Sequence, residues 1–182
     1  LREQMAPGND KVNWTFKQGG ELKIRMQMGD ISRDANGKYH KVIIAQIHGR
    51  LTEDQKALIG AKDNNAPPVL KIYWQDGKIR VKTKELVFTE IDAVGILHEE
   101  AWEDDKGRNF KDAVNFRKFT IEVKVSEGKM VVSLNNDEFF VYDSIHLERW
   151  GIFENYFKVG NYFQTRDKGA FASVKVYDIE VK

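Results

Sequence analysis

The chain has 182 residues, of which 41% are hydrophobic and 31% are charged, and its formal net charge is +1. These values are typical of a single soluble globular domain with a substantial core, and so small a net charge gives no general attraction to nucleic acid. The absence of cysteine excludes disulfides, thiolate metal sites and cysteine nucleophiles. No apolar run approaches the roughly 20 residues of a membrane span, and the first ten residues lack the basic and apolar regions of a signal peptide.

Apolar and polar residues alternate with period two along most of the chain, which predicts β-strands. The first such segment is Glu21–Met28, and a second, mostly apolar one is Lys41–Arg50. Two hairpins are predicted next, with their turns at Asp76-Gly77 and Glu127-Gly128.

Two more strands are predicted over residues 153–165 and 171–182, and a shift of the apolar phase near Tyr177 predicts a bulge in the last one. The total of eight to ten strands with hairpin turns predicts an all-β fold, an antiparallel β-sandwich or jelly roll with a concave substrate groove. Residues 51–67 and 90–115 are too long for hairpin loops, and each could hold a short helix.

The segment YFKVGNYFQ carries an unusual polar row. On a strand, alternate residues share a face, so Tyr156, Lys158, Tyr162 and Gln164 lie together, with Gly160 opening a space between them. Such a row could be an ordinary wet face of an amphipathic strand. Tyrosines that line a concave sheet are equally typical of sugar-binding grooves, because a phenol offers an apolar face and a polar tip.

Two further groups could carry chemistry. Gln46 and His48 share one face of a strand, although a lone strand histidine is more often structural than catalytic. Alternate basic residues on the strand after Asp76-Gly77 indicate either a solvated surface or, together with Lys71, Lys158 and Arg25, a site for a polyanion.

Other chemistries find no support in the sequence. The four histidines have no metal-motif spacing, and the sequence contains no HExxH, GxSxG, P-loop or GxGxxG motif. The acidic pairs Glu99-Glu100 and Asp104-Asp105 are interpreted as solvated loop residues.

Three segments together resemble the alginate lyases of polysaccharide lyase family 7 and the related family 18. These families share the motifs R-S/T-E-L-R, Q-I/V-H and Y-F-K-A/V-G-x-Y-x-Q. The sequence QIH stands at residues 46–48, YFKVGNYFQ at 156–164 matches every defined position of the third motif, and LREQM at 1–5 is similar to the tail of the first. The resemblance covers most of the chain and implies a single catalytic jelly-roll domain over residues 1–182.

The sequence departs from the family pattern at its start, since it begins inside the first motif and lacks that motif's leading arginine. A jelly roll that begins there lacks some of its strands. We expect these strands to come from a companion N-terminal segment of the same precursor, because a long unpaired sheet edge favours aggregation. The alternative is that the sequence is a fragment.

The resemblance implies cleavage of the 4-O-glycosidic bond of a uronate polymer by β-elimination, which gives 4,5-unsaturated oligosaccharides. In this scheme Gln46 and Arg2 neutralise the sugar carboxylate, so that negative charge can develop as the C5 proton leaves. His48 takes that proton from guluronate, whereas Tyr162 serves as acid and, for the opposite epimer, also as base. The substrate-binding residues are expected to be Lys158, Tyr156, Gln164, Arg25, Lys71 and Tyr73.

The resemblance further implies that no metal ion or organic cofactor is required. The expected partner is an anionic polysaccharide, alginate, and not nucleic acid or a membrane; the expected form is a monomer that is secreted or periplasmic, because a polymer must be met outside the cytoplasm. Within the resemblance, Ile47 in the QIH segment is associated with a preference for guluronate-containing blocks, and the expected action is endolytic.

Three alternatives stay open at this point. A non-catalytic carbohydrate-binding jelly roll would explain the tyrosines and lysines but not why His48 shares a face with Gln46. A lyase for another polyuronate, such as glucuronan, would share the chemistry. A structural or adhesion β-sandwich would explain the fold alone.

Overall fold

The alternating segments form two antiparallel sheets in the structure, a computed structural model that describes residues 1–182. In chain order the strands are β1 (Trp14–Thr15), β2 (Gly20–Ile31), β3 (Val42–Arg50), β4 (Asn65–Gln75), β5 (Lys78–Leu86), β6 (Trp102–Asp104), β7 (Arg108–Ala113), β8 (Phe119–Ser126), β9 (Lys129–Leu134), β10 (Glu138–Tyr142), β11 (Glu154–Phe163) and β12 (Ala172–Val181). The larger sheet has the order β1-β11-β3-β4-β5-β6, with β7 also paired to β5, and the smaller sheet has the order β10-β9-β8-β2-β12. The predicted β-sandwich of the jelly-roll class is confirmed.

The core lies between the two sheets and consists of 39 buried residues in one cluster. Strand β2 shows how the sequence builds it, because Leu22, Ile24, Met26 and Met28 are each at most 1% exposed while the residues between them face outward. Burial of such a continuous apolar layer is the main force that holds the sheets together.

Both predicted turns and the predicted bulge are found, and Ser126 pairs with Lys129 across the turn at Glu127-Gly128. Gln75 pairs with Lys78 across the β4–β5 hairpin, and Asp76 and Gly77 between them have φ values of 50° and 81°. Two positive φ angles in a two-residue loop match the right-handed twist of the flanking strands. In β12 the pairing register shifts between Val176 and Asp178, which is the predicted bulge.

The two long connections differ from each other. Residues 51–67 contain helix α1 (Glu53–Ile59), which begins at a capping box between Thr52 and Gln55 and ends at Gly60. Residues 90–115 contain two short 3₁₀ turns but also β6 and β7, so the prediction of a loop with a short helix missed two strands. No helix of the structure is both long enough and apolar enough to cross a membrane.

A second helix, α2 (Ile145–Trp150), packs through Trp150 against the end of β3 in the larger sheet. A Cβ atom on Gly49 of β3 would lie 2.7 Å from the Trp150 ring, so only glycine allows this close packing. The Trp150 indole donates a hydrogen bond of 2.9 Å to Asn155 of β11, which pairs with Gly49. This packing fixes the position of β3 relative to β11 at Gly49, the residue that follows His48.

Candidate active site

The pairing of β3 with β11 brings the polar rows of both strands onto one face. Tyr156 lies directly opposite His48, and Lys158 lies directly opposite Gln46. Residues directly opposite each other in an antiparallel pair share a face and have Cβ atoms about 5 Å apart. The QIH and YFKVGNYFQ segments therefore form one surface, on the side of the sheet away from the core.

The Lys158–Gln46 pair belongs to a longer row that crosses the sheet. Gln46 lies opposite Lys71 of β4, and Lys71 lies opposite Lys82 of β5. At the other end, the backbone of Arg2 pairs with that of Lys158 in an isolated antiparallel β-bridge. Four cationic side chains and one amide thus follow each other at right angles to the strands, which is a suitable arrangement for a chain of carboxylates.

A second row runs parallel to the first and contains Tyr162 of β11, Ile43 of β3 and Tyr73 of β4. Together the two rows form a cleft of about 610 Å³. Its lining includes most of the predicted site residues: Gln46, His48, Lys71, Tyr73, Lys158, Tyr162 and Gln164. Tyr162 is 60% exposed and stands above the cleft, whereas Gln46 and Tyr73 are buried in its floor.

Gly160 lies at an irregularity in β11 between these rows. The pairing with β3 shifts between Val159 and Tyr162, so that β11 carries one more residue than its partner. Gly160 has a φ of +151°, a value that residues with a Cβ atom rarely adopt. The sequence predicts that this glycine leaves space in the polar row; the structure adds that it lies at the irregularity two residues before Tyr162.

His48 is held in one tautomer by its own strand. Its Nδ1 lies 2.9 Å from the carbonyl oxygen of Gly49, and because a carbonyl only accepts, Nδ1 carries the proton. In the neutral ring Nε2 then has the free lone pair and can take a proton.

The surroundings of His48 also favour its neutral form. Burial lowers its pKa below the ordinary value of 6.5, and the nearby charges of Lys158 and Arg2 lower it further, against the raising effect of the Gly49 hydrogen bond. A histidine that is neutral at physiological pH can act as a general base.

Tyr156 is buried and contacts two of the predicted catalytic residues, His48 and Arg2. It is 7% exposed; the His48 ring stacks on it with centroids 5.3 Å apart, and the Arg2 guanidinium lies 4.0 Å from its ring centre. Tyr156 therefore supports His48 and Arg2, and it borders a neighbouring depression of about 270 Å³ that Arg2 and Arg50 also line.

Arg2 does not line the cleft itself, and its guanidinium donates hydrogen bonds to the Asp10 carbonyl and to Asn13 Oδ1. The backbone segment that carries Arg2 is anchored by Glu3, a residue that the sequence analysis did not single out. One carboxylate oxygen of Glu3 accepts hydrogen bonds of 2.9 Å from both the Trp14 indole and the Phe157 backbone. The backbone of Glu3 also donates to the Phe157 carbonyl, so residues 1–3 lie along the edge of β11. A carboxylate next to a motif arginine was the only available signal in the sequence.

The interpretation of Asp104 as a solvated loop residue is wrong. Asp104 is the last residue of β6 and accepts a hydrogen bond of 2.7 Å from Lys71. It also forms ion pairs with Lys84 at 3.1 Å and Lys82 at 4.0 Å. The basic face of β5 is thus partly neutralised from within the protein.

Arg25 is not in the cleft, contrary to expectation. It lies in β2, in the smaller sheet, opposite Thr120 and Asp178. The cleft lies on the outer face of the other sheet, so the whole core separates Arg25 from it. Its place in an alternating pattern predicted that Arg25 is on a strand, but such a pattern does not predict which sheet that strand joins.

Comparisons with known proteins agree with this geometry. The sequence model of a family described as Alginate lyase matches residues 1–182. Among solved structures, the chain is similar to alginate lyase A1-II', a member of polysaccharide lyase family 7, with 26% identity and a TM-score of 0.75, over 100% of this chain and 69% of that one.

Two further structures extend the comparison. A variant of A1-II' in complex with product (GGG) has the same identity, TM-score and coverage. An alginate lyase from Pseudomonas aeruginosa, at 19% identity, shares the fold with a TM-score of 0.68 over 100% of this chain and 72% of that one. No curated protein sequence matches the chain. The family match over the whole sequence establishes that the chain is a polysaccharide lyase and belongs to the alginate lyase family.

Proposed function

We propose that this lyase cleaves alginate endolytically and prefers guluronate-containing blocks, with Gln46, Arg2, His48 and Tyr162 as its catalytic residues. The observation that carries the proposal is the position of Gln46 between His48 and Tyr162 along one cleft, with the free Nε2 of His48 on the same face. A variant of the similar enzyme A1-II' has been solved with product (GGG), which supports an oligoalginate as the ligand.

The first requirement of the reaction is neutralisation of the sugar carboxylate. The C5 proton is only weakly acidic, because the adjacent carboxylate already carries negative charge. The Gln46 amide lines the cleft, and the Arg2 guanidinium is held beside it by Asp10, Asn13 and the Tyr156 ring. Hydrogen bonds from these two donors would strengthen as charge builds on the carboxylate oxygens. Gln46 is 7% exposed, so water competes little for its amide.

The second requirement is a proton acceptor and a proton donor. His48 Nε2 takes the C5 proton, the electrons of that bond form the C4–C5 double bond, and the bond from C4 to the bridging oxygen breaks. The Tyr162 hydroxyl gives its proton to the departing oxygen. Because His48 and Tyr162 lie on opposite sides of Gln46, the two transfers can take place at different faces of one sugar.

The guluronate preference follows from the assignment of the base to His48 and of the acid to Tyr162. A base separate from the acid suits an epimer whose C5 proton and leaving oxygen lie on different sides of the ring. On mannuronate the Tyr162 hydroxyl would have to perform both transfers. Ile47, which points into the core at 0% exposure, can influence the preference only through the position of β3.

The shape of the surface supports endolytic action. The depression that Arg2, Arg50 and Tyr156 line adjoins the cleft on the far side of His48. A polymer can therefore continue beyond the cleft on the side of His48, which favours cleavage within a chain.

The test is turnover of separated polyguluronate and polymannuronate, followed by the ultraviolet absorbance of the unsaturated product and by product size. The proposal predicts faster reaction on polyguluronate, with products of intermediate length from the start. Release of single unsaturated sugars from the beginning would contradict endolytic action, and equal rates on both polymers would contradict the preference. Binding of alginate with no product from either polymer would instead favour a carbohydrate-binding module.

We also propose that the enzyme is secreted or periplasmic, because a polymeric substrate must be met outside the cytoplasm.

We further propose that a companion segment of the same precursor pairs with β12. Strand β12 is an edge of the smaller sheet, and its Val176 and Val181 are 37% and 41% exposed. Light scattering of the chain with and without the companion segment tests this proposal. A monomeric complex is expected with the segment, and failure of the two to bind each other would contradict it.

A further inference from the structure

A single carboxylate organises the basic side of the cleft. Asp104 contacts Lys71 through one oxygen at 2.7 Å and Lys84 through the other at 3.1 Å, and Lys82 lies 4.0 Å away. The side chains of Lys71 and Lys84 are 16% and 12% exposed and that of Asp104 is 27% exposed, so this lysine cluster is only partly solvated.

The cluster is strongly biased towards positive charge. Three ammonium groups surround one carboxylate, and each would repel the others if the carboxylate were absent. Burial alone would raise the pKa of Asp104, but the hydrogen bond from Lys71 and the close ammonium group of Lys84 overcome this effect and lower it. Asp104 therefore stays ionised throughout the neutral range.

Lys71 connects this cluster to the reacting centre. It lies directly opposite Gln46 on the neighbouring strand and lines the cleft. An ammonium group has three donor hydrogens in rotating positions. The bond to Asp104 uses one of them and fixes the direction of the other two.

We propose that Asp104 is a positioning residue for Lys71, which it holds beside Gln46 as a donor to the polymer in the sugar position next to the reacting one. This inference rests on the proposed function. Asp104 touches neither the reacting sugar nor the proton acceptor, and it acts only through Lys71. Without its carboxylate, Lys71 would move away from its charged neighbours, and the donor would have to be ordered at each turnover.

A purely structural role would give a different result. Loss of Asp104 would leave the largely buried ammonium groups of Lys71 and Lys84 close together, so the variant should unfold at a lower temperature. A purely structural role would end there and leave the turnover of the folded enzyme unchanged, whereas a positioning role lowers turnover as well. The effect on KM should be small or opposite in sign, because removal of one negative charge strengthens the general attraction of the cleft for a polyanion.

The experiment is a double-mutant cycle with Asp104→Asn, Lys71→Met and the two combined, measured as kcat and KM on polyguluronate. Asp104→Asn should lower kcat about tenfold, in line with the loss of one charge-assisted hydrogen bond, with KM unchanged or lower. The double variant should be no slower than Lys71→Met alone. Asp104→Glu, which keeps the carboxylate, should retain more turnover than Asp104→Asn.

The matched control is Glu103→Gln, which removes a charge from the preceding, exposed residue of the same strand and should leave kcat unchanged. Losses that multiply in the double variant would overturn the inference, as would a kcat of Asp104→Asn within twofold of the wild type. Absence of lyase activity in the unmodified enzyme would refute the proposed function itself, whereas an active wild type with a fully active Asp104→Asn would refute only the role of Asp104.

Discussion

Replacement of Gly160 by alanine separates backbone geometry from side-chain chemistry in the cleft. A Cβ atom at this position would meet nothing closer than 3.7 Å, so the substitution adds no clash. Its whole effect comes from the φ of +151°, which alanine adopts only with strain.

The magnitude follows from that strain. A residue held in such a conformation costs about 1–3 kcal/mol, and for a chain of this size each kcal/mol lowers the unfolding temperature by about 2–4 °C. The backbone of the variant can also reduce this strain by losing the register shift between Val159 and Tyr162. Relaxation would restore part of the stability but would displace Tyr162 along the cleft, and we expect kcat to fall by about 10².

The assay combines thermal unfolding with initial rates on polyguluronate. Gly37→Ala is the matched control, because Gly37 has a φ of +76°, has open space around it and lies in an exposed turn that does not line the cleft. Both variants should unfold at lower temperature, but only Gly160→Ala should lose turnover. A Gly160→Ala enzyme with wild-type kcat would refute the argument that this glycine sets the position of Tyr162.

Three further predictions concern the pH profile and the support of the cleft. The acid limb of kcat/KM on polyguluronate, which reports the free enzyme, should have its midpoint below pH 6.5, because burial and the cations beside His48 lower its pKa. Lys158→Met removes one of those cations and should move the midpoint upward. Tyr73→Phe should raise KM severalfold but leave the alkaline limb unchanged, because burial and the Asp104 carboxylate raise the pKa of Tyr73 to about 12 and its phenol stays protonated over the assay range. Glu3→Ala should destabilise the fold by about 1–3 kcal/mol, since two donors lose their acceptor, and should lower kcat by releasing Arg2.

These predictions have direct controls. An acid limb unmoved by Lys158→Met would remove that lysine from the electrostatics of His48. An alkaline limb that disappears in Tyr73→Phe would show that Tyr73 titrates in the working range. Gln4→Ala, at an exposed neighbouring residue, should leave stability and turnover unchanged; the same losses there as in Glu3→Ala would contradict the anchoring role.

Period-two alternation was sufficient to predict the shared face of Gln46 and His48, because a strand face is a local property. The same holds for the Asp76-Gly77 turn, where the residue types determine the backbone angles. The family motif added what no local pattern contains, namely that Tyr162 and His48 act in one site; the pairing of their strands came from the structure.

Long-range pairing accounts for what the sequence analysis missed. The sequence analysis treated Asp104 and Asp105 alike, as solvated loop residues. The role of Asp104 depends on the pairing of β6 with β5, and β6 has only three residues, too few to be recognised from an alternating pattern. Glu3 acquires its role from Trp14 and the edge of β11. Arg25 had a suitable charge and periodicity, but it lies in the opposite sheet.

The most direct test of the account is the rate of unsaturated product formation from polyguluronate and polymannuronate by His48→Asn and Tyr162→Phe, compared with the wild type. The account predicts that Tyr162→Phe loses turnover on both polymers, because it supplies the leaving-group proton in each case, and that His48→Asn loses it mainly on polyguluronate. Equal losses on both polymers in His48→Asn, or a Tyr162→Phe variant with undiminished turnover, would contradict the assigned roles.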